Sequence, residues 1–181
     1  MSTANIVLLI LAIVAFAFAV WALIQREKTR KLKNKFGPEY DRVIKQEKSS
    51  RRAEALLEER QKRVQAYQIR PLTREESDMY AAKWRTVQEH FVDDPRDAVA
   101  QADALITDAM RVRGYPMSDF EQRAADLSVD HPTVVEDYRA AHAIATRDAQ
   151  ETASTEDLRK AMQHYRSLFE HVLDTHILQH H

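Results

Sequence analysis

An all-α fold is what this sequence predicts, and three observations carry the prediction. The 181 residues include only 2 Gly and 5 Pro, too few for the many tight turns of a β-rich chain. Ala, Glu, Gln, Arg, Leu and Lys are plentiful, and each favours helix. Apolar residues recur at spacings of three and four between explicit helix start and stop signals. The expected architecture is an N-terminal transmembrane helix, a long basic solvated helix, then a compact bundle of about five amphipathic helices. The corresponding segments are 1–25 (anchor), 26–69 (juxtamembrane neck and long helix), 70–176 (bundle) and 177–181 (a His-containing tail).

The first element is the run Ile6 to Ile24, IVLLILAIVAFAFAVWALI, nineteen residues without a charge or a strongly polar group. At 1.5 Å per residue it would span roughly 28 Å, against a hydrocarbon core of about 30 Å. A buried core helix is the plainer alternative, but a core helix rarely needs an apolar surface all round. A cleaved signal peptide is another, but it wants a basic residue ahead of a shorter run. The run therefore predicts a bilayer-spanning anchor. Arg26, Lys28, Arg30, Lys31, Lys33 and Lys35 follow it and no basic side chain precedes it. Positive charge is retained on the cytoplasmic side. The expected placement is single-pass, with the N-terminus outside and the C-terminal domain in the cytoplasm.

The second element is basic. Residues 26–63 hold 14 Lys/Arg against 7 Asp/Glu, so the formal net charge of −1 conceals a basic neck joined to an acidic body. Residues 25–35 show no apolar face, with Leu32 alone among polar neighbours. The six cations just named are candidates for contact with anionic headgroups. A nucleic-acid partner is not expected, because few aromatics interleave with them. Gly37-Pro38 marks a turn, and Pro38 suits the first position of a new helix. A continuous helix from 39 to 68 would be about 45 Å long and would hold the acidic body away from the membrane. Ala53, Leu56, Leu57, Val64 and Tyr67 form a narrow seam, so residues 53–67 are a candidate for pairing with a second copy.

The body's signals are more explicit. Thr73 with Glu76 reads as a capping box, opening a helix with Tyr80, Trp84, Val87 and Phe91 on one face. Asp94 reads as an N-cap, with Pro95 at N1. The helix they open buries Val99, Ala102, Leu105, Ile106, Ala109 and Met110, and stops at Gly114. Ser118 with Glu121 reads as another capping box, opening a short helix through Phe120, Ala124 and Leu127. Asp130-His131-Pro132 restarts the chain with a cap, and Val134, Val135, Tyr138, Ala141 and Ala145 point inward. Ser154, Thr155 and Asp157 open the last helix, striped by Leu158, Ala161, Met162, Tyr165, Leu168, Phe169 and Val172. Loops of this length suit an antiparallel bundle.

Several functions are excluded. With no Cys there is no disulfide, thiolate nucleophile, Cys-ligated zinc or lipidated Cys. Two glycines cannot build a Walker loop or a dinucleotide fingerprint. No cofactor is implied. The densest polar region contains Arg123, Asp126, Asp130, His131, Arg139 and His142. Asp130 and His131, with Arg139 and Arg123 beside them, are the candidates for acid–base catalysis; capping and ion pairing at a tight corner is the structural alternative. His142 follows Tyr138 by four residues, which suits a core histidine. His176 and His180, also four apart, could chelate a metal if the helix persisted to them.

The blocks FGPEYDR (36–42), FVDDP (91–95), RGYP (113–116), FEQRAADLSVDHP (120–132) and HYRSLFE (164–170) resemble a family of small bacterial single-pass membrane proteins with a helical cytoplasmic domain. The resemblance covers most of 36–170 and implies a bacterial origin, hence the bacterial inner (cytoplasmic) membrane as the expected location, and the anchor-plus-helical-body organisation, without an activity to carry over. The function expected is that of a non-enzymatic interaction or scaffold protein with an unidentified protein partner. The alternative is an enzyme or small-ligand binder using the Asp130/His131/Arg139 region.

Overall fold

In the computed structural model, residues 3–150 and 152–172 are described, with side chains from residue 11 onward. Among them the chain is all-helical: α1 (Thr3–Phe36), α2 (Pro38–Glu47), α3 (Ser50–Gln65), α4 (Arg74–His90), α5 (Pro95–Arg113), α6 (Phe120–Asp130), α7 (Val135–Asp148) and α8 (Thr155–Val172). It divides into two compact units, Met1–Glu58 and Glu59–His181.

In the first unit α1 continues without a break through the neck to Phe36. Among the described residues no helix is long and apolar enough to cross a membrane. The side chains of residues 6–10, the start of the apolar run, lie outside the described residues. Those that follow are exposed: Leu11, Ile13, Val14, Phe16, Phe18, Trp21, Leu23 and Ile24 are all 55% or more accessible, Phe16 reaching 73%.

The neck departs from the solvated segment expected. Leu32 and Phe36 are buried, and so are Tyr40, Val43, Ala53 and Leu57. Two of these six lie on α1, two on α2 and two on α3. Leu32, alone among polar neighbours in sequence, is only 5% exposed. Gly37 makes the first corner at φ 48°, ψ −125°, with Pro38 at the start of α2. The continuous 45 Å helix over 39–68 does not form. Lys48 caps α2 in the left-handed conformation at φ 54°, and α3 starts at Ser50. The break lets α3 come back to α1. Thr29 Oγ1 donates to Glu54 Oε1 at 2.8 Å, and Lys28 Nζ pairs with Glu58 at 2.8 Å. Tyr40 also donates to Glu54, at 3.0 Å, and burial followed by this acidic partner pushes its hydroxyl up to about 12. Glu39, fully buried, receives Arg42 through both carboxylate oxygens.

The second unit is a bundle in which α7 packs on α8, α8 on α5 and α5 on α4, with α6 against α7. One core runs through it, including Tyr80 and Trp84 of α4, Ile106 and Met110 of α5, Leu127 of α6, Tyr138 of α7, and Tyr165, Leu168 and Phe169 of α8. Trp84 stacks on Phe169 with ring centroids 4.7 Å apart. Phe91 and Phe120, read from sequence as core residues, are only partly buried. Phe91 is the C-cap of α4 and Phe120 the first residue of α6, and helix ends are covered from fewer sides than helix middles.

Local signals place most boundaries. The Thr73/Glu76 capping box is complete. Asp94 accepts from the Asp97 backbone N–H at 3.1 Å. Gly114 ends α5 at φ 99° in a Schellman arrangement, with Tyr115 N–H donating to Met110 O and Gly114 N–H to Arg111 O. Ser154 and Asp157 cap α8 reciprocally. Two readings are corrected. The cap of α6 is Asp119, which accepts from the Gln122 N–H at 2.8 Å, in place of a Ser118/Glu121 box. Ser118 is one residue too early to reach that donor. Asp130 does not open a helix: it is the last residue of α6, and α7 begins only at Val135 with no side-chain cap.

Candidate functional site

The polar residues between α6 and α7 are drawn into the architecture one by one. Asp130 is exposed and accepts from the Tyr115 hydroxyl at 3.3 Å. Burial, then the charge of Asp130, raises the Tyr115 pKa, so the tyrosine remains a donor. His131 caps the C-terminus of α6, its backbone N–H bonding Leu127 O at 2.8 Å. Its Nε2 lies 3.5 Å from Arg113 Nη1. A guanidinium has only donors, so this nitrogen is the acceptor. Arg113 is itself buried, donating to Val172 O at 2.7 Å and Arg70 O at 3.2 Å. It ties the ends of α5 and α8 to the segment entering α4.

Arg123 faces the other way. It donates to Ser118 O at 2.6 Å and to the Tyr138 hydroxyl at 3.3 Å. Arg139 lies 3.5 Å from Glu136 on its own helix. His142 stacks on Phe120, with centroids 3.6 Å apart. Asp126 is 1% exposed. Its Oδ1 receives Arg63 Nη2 at 2.8 Å and Gln122 at 2.9 Å, and its Oδ2 receives the Tyr67 hydroxyl at 3.3 Å. Arg63 and Tyr67 lie about sixty residues upstream, and no local pattern pointed to them. Asp126 thereby ties the end of α3 to α6.

Acidic partners for tyrosine recur. Tyr80 donates to Asp108 at 2.8 Å and Tyr165 to Asp103 at 2.9 Å. For both hydroxyls burial, followed by the carboxylate, raises the pKa. Such pairs keep each hydroxyl satisfied in a largely apolar core. Ser167, Asp137 and His164 meet as well, but in an order without nucleophilic chemistry. Ser167 donates to Asp137 Oδ2 at 2.7 Å and His164 Nδ1 lies 2.8 Å from Asp137 Oδ1. The carboxylate sits between the other two, so the imidazole is not placed to take the serine proton.

A shallow cleft of about 180 Å³ opens where α4 ends against α8, lined by Gln88, Phe91, Arg159, Met162, Gln163 and Arg166. None of Asp130, His131, Arg139 and Arg123 lines it. Val92, beside it in sequence, is 83% exposed. Arg159 and Arg166 hold exposed ion pairs with Glu156 and Glu170 on their own helix, a type of pair worth about 0–1 kcal/mol. The cleft was not legible as a site, since Phe91 and Met162 read as ordinary stripe residues.

Among the neck cations, Lys28 is taken by Glu58, while Arg30 and Lys31 pair with Glu27. Arg26, Lys33 and Lys35 are exposed. In the 53–67 seam, Ala53, Leu57 and Val64 are buried within the chain itself. No group of three potential metal ligands occurs among the described residues; His176 and His180 lie outside them.

No family model, no curated protein and no solved structure matches this chain.

Proposed function

We propose that this protein is a membrane-anchored, non-enzymatic helical interaction or scaffold module of a bacterial inner membrane, its body in the cytoplasm. The observation that carries the reading is the outer face of α1. Its large apolar residues from Leu11 to Ile24 are exposed, including Phe16, Phe18 and Trp21. Large apolar side chains exposed around a whole helix are stable in lipid and costly in water. The cations from Arg26 to Lys35 support a cytoplasmic side for the residues that follow. Arg26, Lys33 and Lys35 face anionic headgroups, and Arg30, Lys31 and Lys28 reinforce the field. The body then docks a protein partner. Several of its polar residues, Arg113, Asp126 and Arg123 among them, hold elements together, and its cleft is shallow and partly apolar, which suits a surface contact better than a sequestered reaction.

A reporter fused after His181, in a form active only in the cytoplasm and a form active only outside it, tests the topology. Activity of the cytoplasmic form in a membrane fraction that resists salt extraction is expected. Activity of the external form alone overturns the orientation, and release of the protein by salt overturns the anchor.

A further inference from the structure

The break at Lys48 has a second effect, on charge. Lys45, Lys48, Arg51 and Arg52 cluster around the α2–α3 turn, all exposed, and none has an ion-pair partner among the described residues. Glu47 is the only acid within the cluster. On a continuous helix from the neck onward, Arg51 would stand roughly 40 Å beyond Ile24, far outside the reach of a surface potential that decays over about 8 Å in physiological salt. The fold brings it back. Glu54, three residues after Arg51, is hydrogen-bonded to Thr29 at 2.8 Å. Thr29 is only five residues past Ile24, roughly 7.5 Å along α1. Whichever way α3 runs past α1, Arg51 stands within roughly 15 Å of the level of Ile24, allowing for the reach of the Glu54 side chain. The guanidinium's own length and the headgroup layer close most of that gap.

We propose that the α2–α3 turn is a second contact site for anionic phospholipid headgroups, acting beside the neck and set in place by the Thr29–Glu54 and Lys28–Glu58 contacts. The proposal rests on the anchored reading of α1. The occupant follows from charge: four unpaired cations on one exposed turn match a surface of phosphate diesters, and the anchor holds that surface within reach. The neck's own cations are partly neutralised by Glu27 and Glu58, whereas the turn's are not.

The test uses the full chain in lipid nanodiscs of phosphatidylcholine, with and without phosphatidylglycerol. The chain has no native Cys, so Ser50→Cys and Ala15→Cys each accept a single spin label. On adding the anionic lipid, collisions of the residue-50 label with a water-soluble relaxation agent should fall at least roughly twofold, and high salt should restore them. The combined Lys45→Gln, Lys48→Gln, Arg51→Gln, Arg52→Gln variant should lose the response while keeping its helical spectrum. The Lys45→Arg, Lys48→Arg variant should keep it. An unchanged residue-50 label, with the residue-15 label shielded by lipid, overturns the turn site and leaves the anchor standing. A residue-15 label open to water overturns the anchor and this site together. Protection of residue 50 by inorganic phosphate in neutral nanodiscs overturns the assignment to lipid.

Discussion

Replacing Gly114 with Ala isolates two effects at one residue. The first is local. Gly114 has φ 99° and ψ 12°, a left-handed conformation that costs an L-residue roughly 1–2 kcal/mol. The second is steric. A Cβ at this position would lie 2.6 Å from the Gln68 carbonyl oxygen and 3.3 Å from its carbonyl carbon. Backbone must move to make room, and that backbone is held by two hydrogen bonds between Arg70 and Arg113, the residue before Gly114. Arg70 N–H donates to Arg113 O at 2.9 Å and Arg113 Nε to Arg70 O at 3.2 Å. Retreat of the 68–70 segment strains both bonds, each worth about 1 kcal/mol. The combined cost should be about 3–4 kcal/mol, enough to be a large share of a small domain's stability. Urea denaturation followed by circular dichroism, on residues 59–181 and on residues 70–181, separates the two effects. The shorter fragment lacks Gln68, so only the conformational cost of about 1–2 kcal/mol should remain there. Equal losses in the two fragments would refute the steric part. A loss below about 1 kcal/mol in both would refute the assigned backbone conformation.

Two further outcomes follow from named contacts. Trp84 is 6% exposed and stacks on Phe169, so Trp84→Ala should cost roughly 3–5 kcal/mol by the same denaturation; a cost near zero would move Trp84 out of the core. The Arg70 guanidinium, donating to both Glu76 oxygens at 2.7 Å, and then the Thr73 N–H lower the Glu76 pKa from 4.5 to about 2. A pKa depressed by folding means that the unfolded chain binds the proton more readily. This contribution is therefore present above about pH 4.5 and lost as the pH falls through the window to about 2. Glu76→Gln should flatten the pH dependence of stability in that window, and an unaltered slope would exclude the pairing.

What the sequence determined by itself is what acts over three or four residues. A cap bonds a donor two or three positions on, a Schellman glycine closes on the preceding turn, and an apolar stripe repeats with the helical period. Thr73, Asp94, Gly114 and Ser154 were therefore legible, as was the helical class. The capping-box reading missed by one residue at Ser118, where Asp119 offered a competing carboxylate. Tertiary structure decided whatever needed a partner far along the chain. Leu32 and Phe36, set among polar residues in sequence, are buried in the folded chain. Arg63 gained Asp126 across 63 positions, and the Tyr80 and Tyr165 hydroxyls, on α4 and α8, found their acids on α5. The catalytic reading of Asp130, His131, Arg123 and Arg139 arose from nearness in sequence. In space Arg123 turns toward Tyr138 while His131 turns toward Arg113. Consecutive residues on a helix point about 100° apart, and which direction meets a partner depends on how the helices pack.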